Sequence, residues 1–236
     1  MTVFGLIHGG SHGAWCWERL VPELEQRGCQ AVTVDWPVDD PSADWGTATK
    51  LVTEAFAGLS AGDDLVVVGH SLGGYLLPPV AAQTGASKMI FLCAIVPTEG
   101  ESFMEWRAGV ESDPTLDAYV MSEGSTLDDD GCLVLDPEAC RQVFYNDCDE
   151  ETIAAAVGRI RRQTTSLLME PFPMGGWQGS PRASYILCTD DRGVPPAWSR
   201  KVAAERLGSP AVELPGSHSP FLSRPGALAD VLVSLA

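Results

Sequence analysis

The 236-residue chain is poor in basic residues: 15 Lys and Arg face 32 Asp and Glu, for a formal net charge of −17. Affinity for phosphate backbones comes from clustered Lys and Arg, so this balance excludes nucleic acid as a partner. An anionic surface also disfavours anionic small molecules, and neutral ones are the better match. No apolar run is long enough to span a bilayer, so no membrane partner is expected. The opening "MTVFGLIHGG" has no basic region and its apolar run stops after Ile7, too short for a signal peptide. Seven cysteines (16, 29, 93, 132, 140, 148 and 188) form no C-x-x-C pair and no Cys/His cluster with metal spacing. They read as reduced packing residues of a cytoplasmic protein, and no metal is expected. There is no internal repeat and no low-complexity tract.

What is present suits a soluble globular protein: 45% of residues are apolar and 20% charged. At this length a single unit buries roughly 70% of its unfolded surface. Short unbroken apolar runs recur at residues 3–7, 30–34, 65–68, 89–96, 184–188 and 211–214. Continuous rather than alternating apolar strands indicate a parallel sheet covered on both faces. Between them the spacing predicts helices. Ala48, Leu51, Val52, Ala55, Phe56 and Leu59 follow i, i+3, i+4, i+7 periodicity, as do Leu228, Val231, Leu232 and Leu235. The alternation predicts an α/β fold, doubly wound and mostly parallel, with helices on both faces and ligands at the carboxyl ends of the strands.

Residues 98–177 break this alternation and contain no convincing buried strand. An acidic loop, "TLDDDG" (126–131), lies among two expected helices, the second capped by Asp147 with Glu150 three residues on and closed by Arg159, Arg161 and Arg162 at its C-terminal end. The expected organisation is one structural domain: a core formed by 1–97 and 178–236, with a small, mainly helical cap inserted at 98–177.

The stretch "VVVGHSLGGY" carries the chemistry. Gly69, Ser71 and Gly73 give G-x-S-x-G directly after an apolar strand and before a helical run. A sharp strand-to-helix turn strains the serine backbone and brings the positions two before and two after it so close that only glycine fits. The turn projects the Ser71 hydroxyl at the sheet edge. A serine needs a base, and the chain has four histidines. His8 and His12 lie after the first strand and His70 adjoins Ser71, whereas His218, in "LPGSHSPF", occupies a loop able to reach the serine. In "YILCTDDRGVPP" either Asp190 or Asp191 could orient that imidazole; Asp191 is preferred, lying deeper in the turn that Gly193 and Pro195 close. In "LIHGGSHGAWCW" the Gly10 N–H, with that of Leu72, could stabilise a developing oxyanion, an effect of about 3 to 4 kcal/mol per donor.

Together "HGGSHGAWCW", "VVVGHSLGGY", "FLCAIVP", "CTDDRGVPP" and "GSHSPFLSRP" resemble the α/β-hydrolase superfamily, and within it the small, short-capped branch of plant methylesterases and hydroxynitrile lyases. The resemblance implies a triad of Ser71, Asp191 and His218, an oxyanion hole of the Gly10 and Leu72 N–H groups, and no cofactor. It further implies a carboxylesterase that cleaves small neutral, apolar or aromatic esters through an acyl-enzyme. The lyases carry a threonine in the oxyanion loop and a lysine after the histidine; here those positions are Gly9 and Ser219, which favours hydrolysis. The alternatives are a lyase-like or biosynthetic tailoring enzyme and a slow-turnover, receptor-like binding protein. The expected partner is a small-molecule ester, and a homodimer is the assembly entertained. For the substrate pocket the resemblance offers His12, with a satisfied loop histidine as the other reading. The cap offers Phe103, Trp106, Tyr119, Met121 and Phe144, with Phe172 and Trp177 as further apolar surface, against the reading that most of these pack the cap itself; Trp15 and Trp17 are assigned to the core.

Overall fold

The computed structural model describes residues 1–59, 62–116, 124–173 and 182–236. The chain runs β1 (Thr2–Ile7), a 3-10 turn (Ala14–Trp17), α1 (Leu20–Gln26), β2 (Gln30–Val34), α2 (Trp45–Ala55), β3 (Asp64–His70), a second 3-10 turn (Ser71–Leu76), α3 (Leu77–Thr84) and β4 (Lys88–Leu92). An insertion follows with α4 (Phe103–Ser112), β5 (Ser125–Leu127), β6 (Cys132–Leu135), α5 (Pro137–Phe144), α6 (Glu150–Val157), β7 (Gln163–Thr164) and α7 (Thr165–Met169). The chain then returns as β8 (Arg182–Cys188), α8 (Pro196–Arg206), β9 (Val212–Leu214), α9 (Pro220–Ser223) and α10 (Pro225–Leu235).

Six strands form one sheet in the order β2-β1-β3-β4-β8-β9, and every pairing in it is parallel. The apolar run of β3 shows why. Because side chains alternate across a strand, Leu65 and Val67 join the core on one face with Trp45, Val52, Val80 and Val202, while Val66 and Val68 join the other with Leu20, Leu24, Leu228 and Leu232. Thus α2, α3 and α8 cover one face and α1 and α10 the other. Each fully buried aliphatic side chain contributes about 1.5–3 kcal/mol, so a strand of four valines and leucines is held from both sides. The run expected at 89–96 ends as a strand at Leu92, because Cys93 turns into the left-handed region at φ +46°.

The insertion departs from expectation. Among its described residues, β5, β6 and β7 form a second, antiparallel sheet, and "TLDDDG" is part of the β5–β6 hairpin rather than a free loop. Asp128 holds the turn, its Oδ1 accepting from Asp130 N–H (3.0 Å) and Cys132 N–H (2.9 Å), and Arg162 donates to both Asp128 (2.9 Å) and Asp130 (2.7 Å). Strands of three, four and two residues, the first exposed throughout, leave too few alternations to show as a period. The helix expected to start at Asp147 is capped instead by Asp149, whose carboxylate accepts from Thr152 N–H (2.7 Å), while Asp147 pairs with Arg224 (2.6 Å). That helix ends at Val157, so Arg159 and Arg161 lie beyond it and pair with Glu18 and Asp39.

Candidate active site

Strand register brings the chemistry together. Ile7, the last residue of β1, lies opposite Gly69 of β3, so residues 8–11 leave the sheet beside residues 70–72. Ser71 sits in the turn at φ +51°, in the left-handed region that non-glycine residues avoid. A Cβ on Gly73 would stand 2.6 Å from the His8 carbonyl oxygen, and one on Gly69 would stand 2.7 Å from that of Gly73. Both glycines are therefore required by backbone, not by flexible neighbours. Leu72 is the second residue of the 3-10 turn Ser71–Leu76, where N–H groups have no carbonyl partner within the turn.

The loop after β1 is set by two neutral histidines. Trp36 N–H donates to His8 Nε2 (3.3 Å), so Nδ1 carries the proton and donates to the Gly9 carbonyl (2.8 Å). In a trans peptide C=O and N–H point in opposite directions, so this bond turns the Gly10 N–H away from His8. His12 Nδ1 donates to the Gly10 carbonyl (2.8 Å), which leaves its Nε2 to accept from the Tyr145 hydroxyl (2.9 Å). Burial pushes His8 down to about 3 and His12 down to about 4, so both rings stay uncharged.

The acid and histidine loops meet because β8 and β9 end in register, Cys188 against Leu214. Both Asp191 carboxylate oxygens lie 2.9 Å from His218 Nδ1. Asp191 Oδ1 also accepts from the N–H groups of Gly193 (2.7 Å) and Val194 (2.9 Å). A Cβ on Gly193 would press on the imidazole at 2.8 Å. Asp190 does different work: its Oδ2 accepts from Gly216 N–H (3.2 Å), tying the two loops together. His70 Nε2 donates to the His218 carbonyl (2.9 Å), the two rings lie 4.6 Å apart, and Phe144 stacks on His218 at 5.5 Å. With Nδ1–H directed at Asp191, Nε2 of His218 is the basic nitrogen.

Ser71, Gly10, Leu72 and Phe144 line one cleft, with about 600 Å3 of empty space including its opening to solvent. Phe103, Met104, Leu133, Leu135 and Leu168 supply the rest of its apolar wall, and Ser11, Arg107, Ser125 and Gln163 its polar points. Of the residues expected around a substrate, Phe103 and Phe144 are in this wall. His12 and Trp106 are corrections. His12 is buried behind the loop with both nitrogens bonded, and Trp106 packs edge-on against Trp198 (5.3 Å) beside a separate surface groove. Tyr119, Met121 and Trp177 lie outside the described residues. Phe172 is buried against Trp45 and Tyr75, and Trp17 belongs to the core as expected, while Trp15 is half-buried under Arg159. The residues missed, above all Leu133, Leu135 and Gln163, come from the short second sheet; only the alternation in "CLVLD" hinted at them.

Among the described residues one grouping has metal-ligand spacing: Cys93, Asp191 and His218, with ligand atoms within 4.8 Å of one another. Burial and the adjacent Cys188 hold the Cys93 thiol well above its ordinary range, and a protonated thiol is a poor ligand. Asp191 and His218 are already committed to each other. No described helix is long and apolar enough to cross a membrane.

A model of the alpha/beta hydrolase family matches residues 6–231. Among known proteins, the chain is 28% identical over 255 residues to salicylic acid-binding protein 2 of Nicotiana tabacum, covering 99% of this chain and 96% of that one. It is 26% identical over 250 residues to putative methylesterase 12 of Arabidopsis thaliana, covering 99% and 71%. Among solved structures, a pyrethroid hydrolase from Sphingobium faniae superposes with a TM-score of 0.81 at 27% identity, covering 99% and 96%. The chain belongs to the alpha/beta hydrolase family and is an enzyme of its esterase type.

Proposed function

We propose that the protein is a serine carboxylesterase in which Ser71 attacks, His218 is the base and Asp191 orients and stabilises the imidazole. The observation that carries this reading is the buried Asp191–His218 contact at 2.9 Å, lodged against an elbow that holds Ser71 at φ +51° over an apolar cleft. His218 Nε2 takes the hydroxyl proton and Oγ adds to the ester carbonyl. The N–H groups of Gly10 and Leu72 stabilise the resulting oxyanion. Collapse expels the alcohol, which receives the proton from His218, and water activated by the same base then cleaves the acyl-enzyme. No metal or organic cofactor enters the scheme.

The apolar wall suits a small, neutral aliphatic or aromatic ester. Methyl esters of aromatic acids are the first substrates to try, since the tobacco relative is named for binding salicylic acid and the Arabidopsis one as a methylesterase. Gly9 offers no hydroxyl and Ser219, wholly buried, no ammonium, so a departing cyanide would go uncompensated. Seven free cysteines, five of them buried, support a cytoplasmic setting. A panel of short p-nitrophenyl and aryl methyl esters, run on the wild type and Ser71→Ala, tests the proposal. Hydrolysis abolished by the substitution is expected; equal turnover by both would refute it.

A further inference from the structure

Ser11 is a second point of strain beside the nucleophile, at φ +56°. Such a conformation costs about 1–2 kcal/mol for an L-residue and persists only where its surroundings impose it. Here the insertion imposes it from both sides of one residue. The Ser11 N–H donates to Gln163 Oε1 (3.1 Å), and the Ser11 carbonyl accepts from Arg161 N–H (2.8 Å).

The gripping segment is itself braced. Arg161 forms an ion pair with Asp39, Thr164 N–H donates to the Val38 carbonyl (2.6 Å), and Gln163 pairs with Leu133 across β6 and β7. Gln163 is 4% exposed, its Nε2 donates to the Thr164 carbonyl (3.2 Å), and so its Oε1 is the atom left to face Ser11. That oxygen lies 2.8 Å from where a Cβ on Gly10 would stand, hard against a loop residue that lines the cleft. The Gly10–Ser11 peptide is thus held at both ends, its C=O by His12 and its N–H by Gln163.

We propose that Gln163 is a positioning residue for the oxyanion loop, so that the insertion completes the reactive site and does not merely cover it. The catalytic half of this rests on the serine esterase reading. Removing the Oε1 acceptor leaves Ser11 N–H buried without a partner, and the loop can then escape its strain by turning the Gly9–Gly10 and Gly10–Ser11 peptides. A donor misaligned by about 1 Å stabilises the transition state less while leaving ground-state binding almost untouched.

The test compares the wild type with Gln163→Met, which keeps the volume and removes the acceptor, and with Ser166→Ala, which removes a different insertion-to-core bond, to the Ala43 carbonyl. Amide hydrogen exchange is read over residues 8–13, and kcat, KM and the affinity of a trifluoromethyl ketone are read on a p-nitrophenyl ester. In Gln163→Met we expect exchange at residues 9–11 to accelerate about tenfold or more. We also expect kcat to fall about 10- to 100-fold with KM within about twofold, and the ketone to weaken by the same factor as kcat/KM. Ser166→Ala should change none of these. Unchanged exchange, or faster exchange with unchanged kcat and ketone affinity, overturns the proposal, as does an equal effect of Ser166→Ala. Gln163→Leu serves if the methionine variant does not fold. A wild type without Ser71-dependent hydrolysis would refute the esterase reading separately, and exchange would still decide whether Gln163 holds the loop.

Discussion

Asp191 and His218 form a buried pair, both carboxylate oxygens 2.9 Å from Nδ1 and neither residue more than 6% exposed. Asp191→Asn replaces one of those acceptors by a donor and favours the wrong imidazole tautomer. We expect kcat to fall by about 10⁴ with the fold intact. Asp190→Asn, on the outer side of the same loop, should stay within about threefold of the wild type, since a loop contact of this kind rarely contributes more than about 1 kcal/mol. Steady-state kinetics on both variants separates the two neighbouring acids.

Two glycines should respond in opposite ways to alanine. A Cβ on Gly73 meets the His8 carbonyl at 2.6 Å, so Gly73→Ala should destabilise by at least about 2 kcal/mol and abolish hydrolysis. Gly109, on α4, has nothing within 4 Å of its would-be Cβ, and Gly109→Ala should stabilise by up to about 1 kcal/mol. Urea midpoints measured side by side decide both.

Acid should destabilise the protein before its carboxylates titrate. Folding lowers His8 to about 3 and His12 to about 4, below the 6.5 of the unfolded chain. Between these values the unfolded chain binds more protons than the folded one. Stability is therefore full above about pH 6.5 and lost as pH falls, by up to about 1.4 kcal/mol per pH unit for each histidine. Urea unfolding from pH 7 to pH 4 should show this slope, and His12→Gln should remove one proton's share of it.

The wall of the cleft and the core behind it should separate kinetically. Leu135→Trp narrows the cleft and should raise KM for aryl esters about tenfold or more, with a smaller effect on the smallest acetate ester. Trp106→Ala, in the contact with Trp198, should cost about 3–5 kcal/mol of stability and leave KM within about twofold. A large KM change in Trp106→Ala would restore it to the substrate site.

The core was legible in the sequence because its strands are buried on both faces: a run such as "LVVVG" needs no partner to declare itself, and the six strands expected are the six found. The loops that carry Ser71, Asp191 and His218 were legible for the same reason, since each follows directly from a strand end. The insertion was not. Its sheet has strands of two to four residues, and Leu133 and Gln163 gain their meaning only from register with each other and, for Gln163, from contact with Ser11, 152 positions away in the chain. His12 was offered to the pocket by the resemblance alone; the other reading, a satisfied loop histidine, is the one found, its two nitrogens committed to Gly10 and Tyr145.

Covalent labelling tests the central claim most directly. The wild type is treated with a fluorophosphonate, the adduct counted by intact mass and its position found by peptide mapping. We predict one phosphonyl group per chain, on Ser71, with hydrolysis lost in proportion to labelling and no adduct in Ser71→Ala. A fully active protein with Ser71 unmodified, or an adduct on another residue that tracks the loss of activity, would contradict the account.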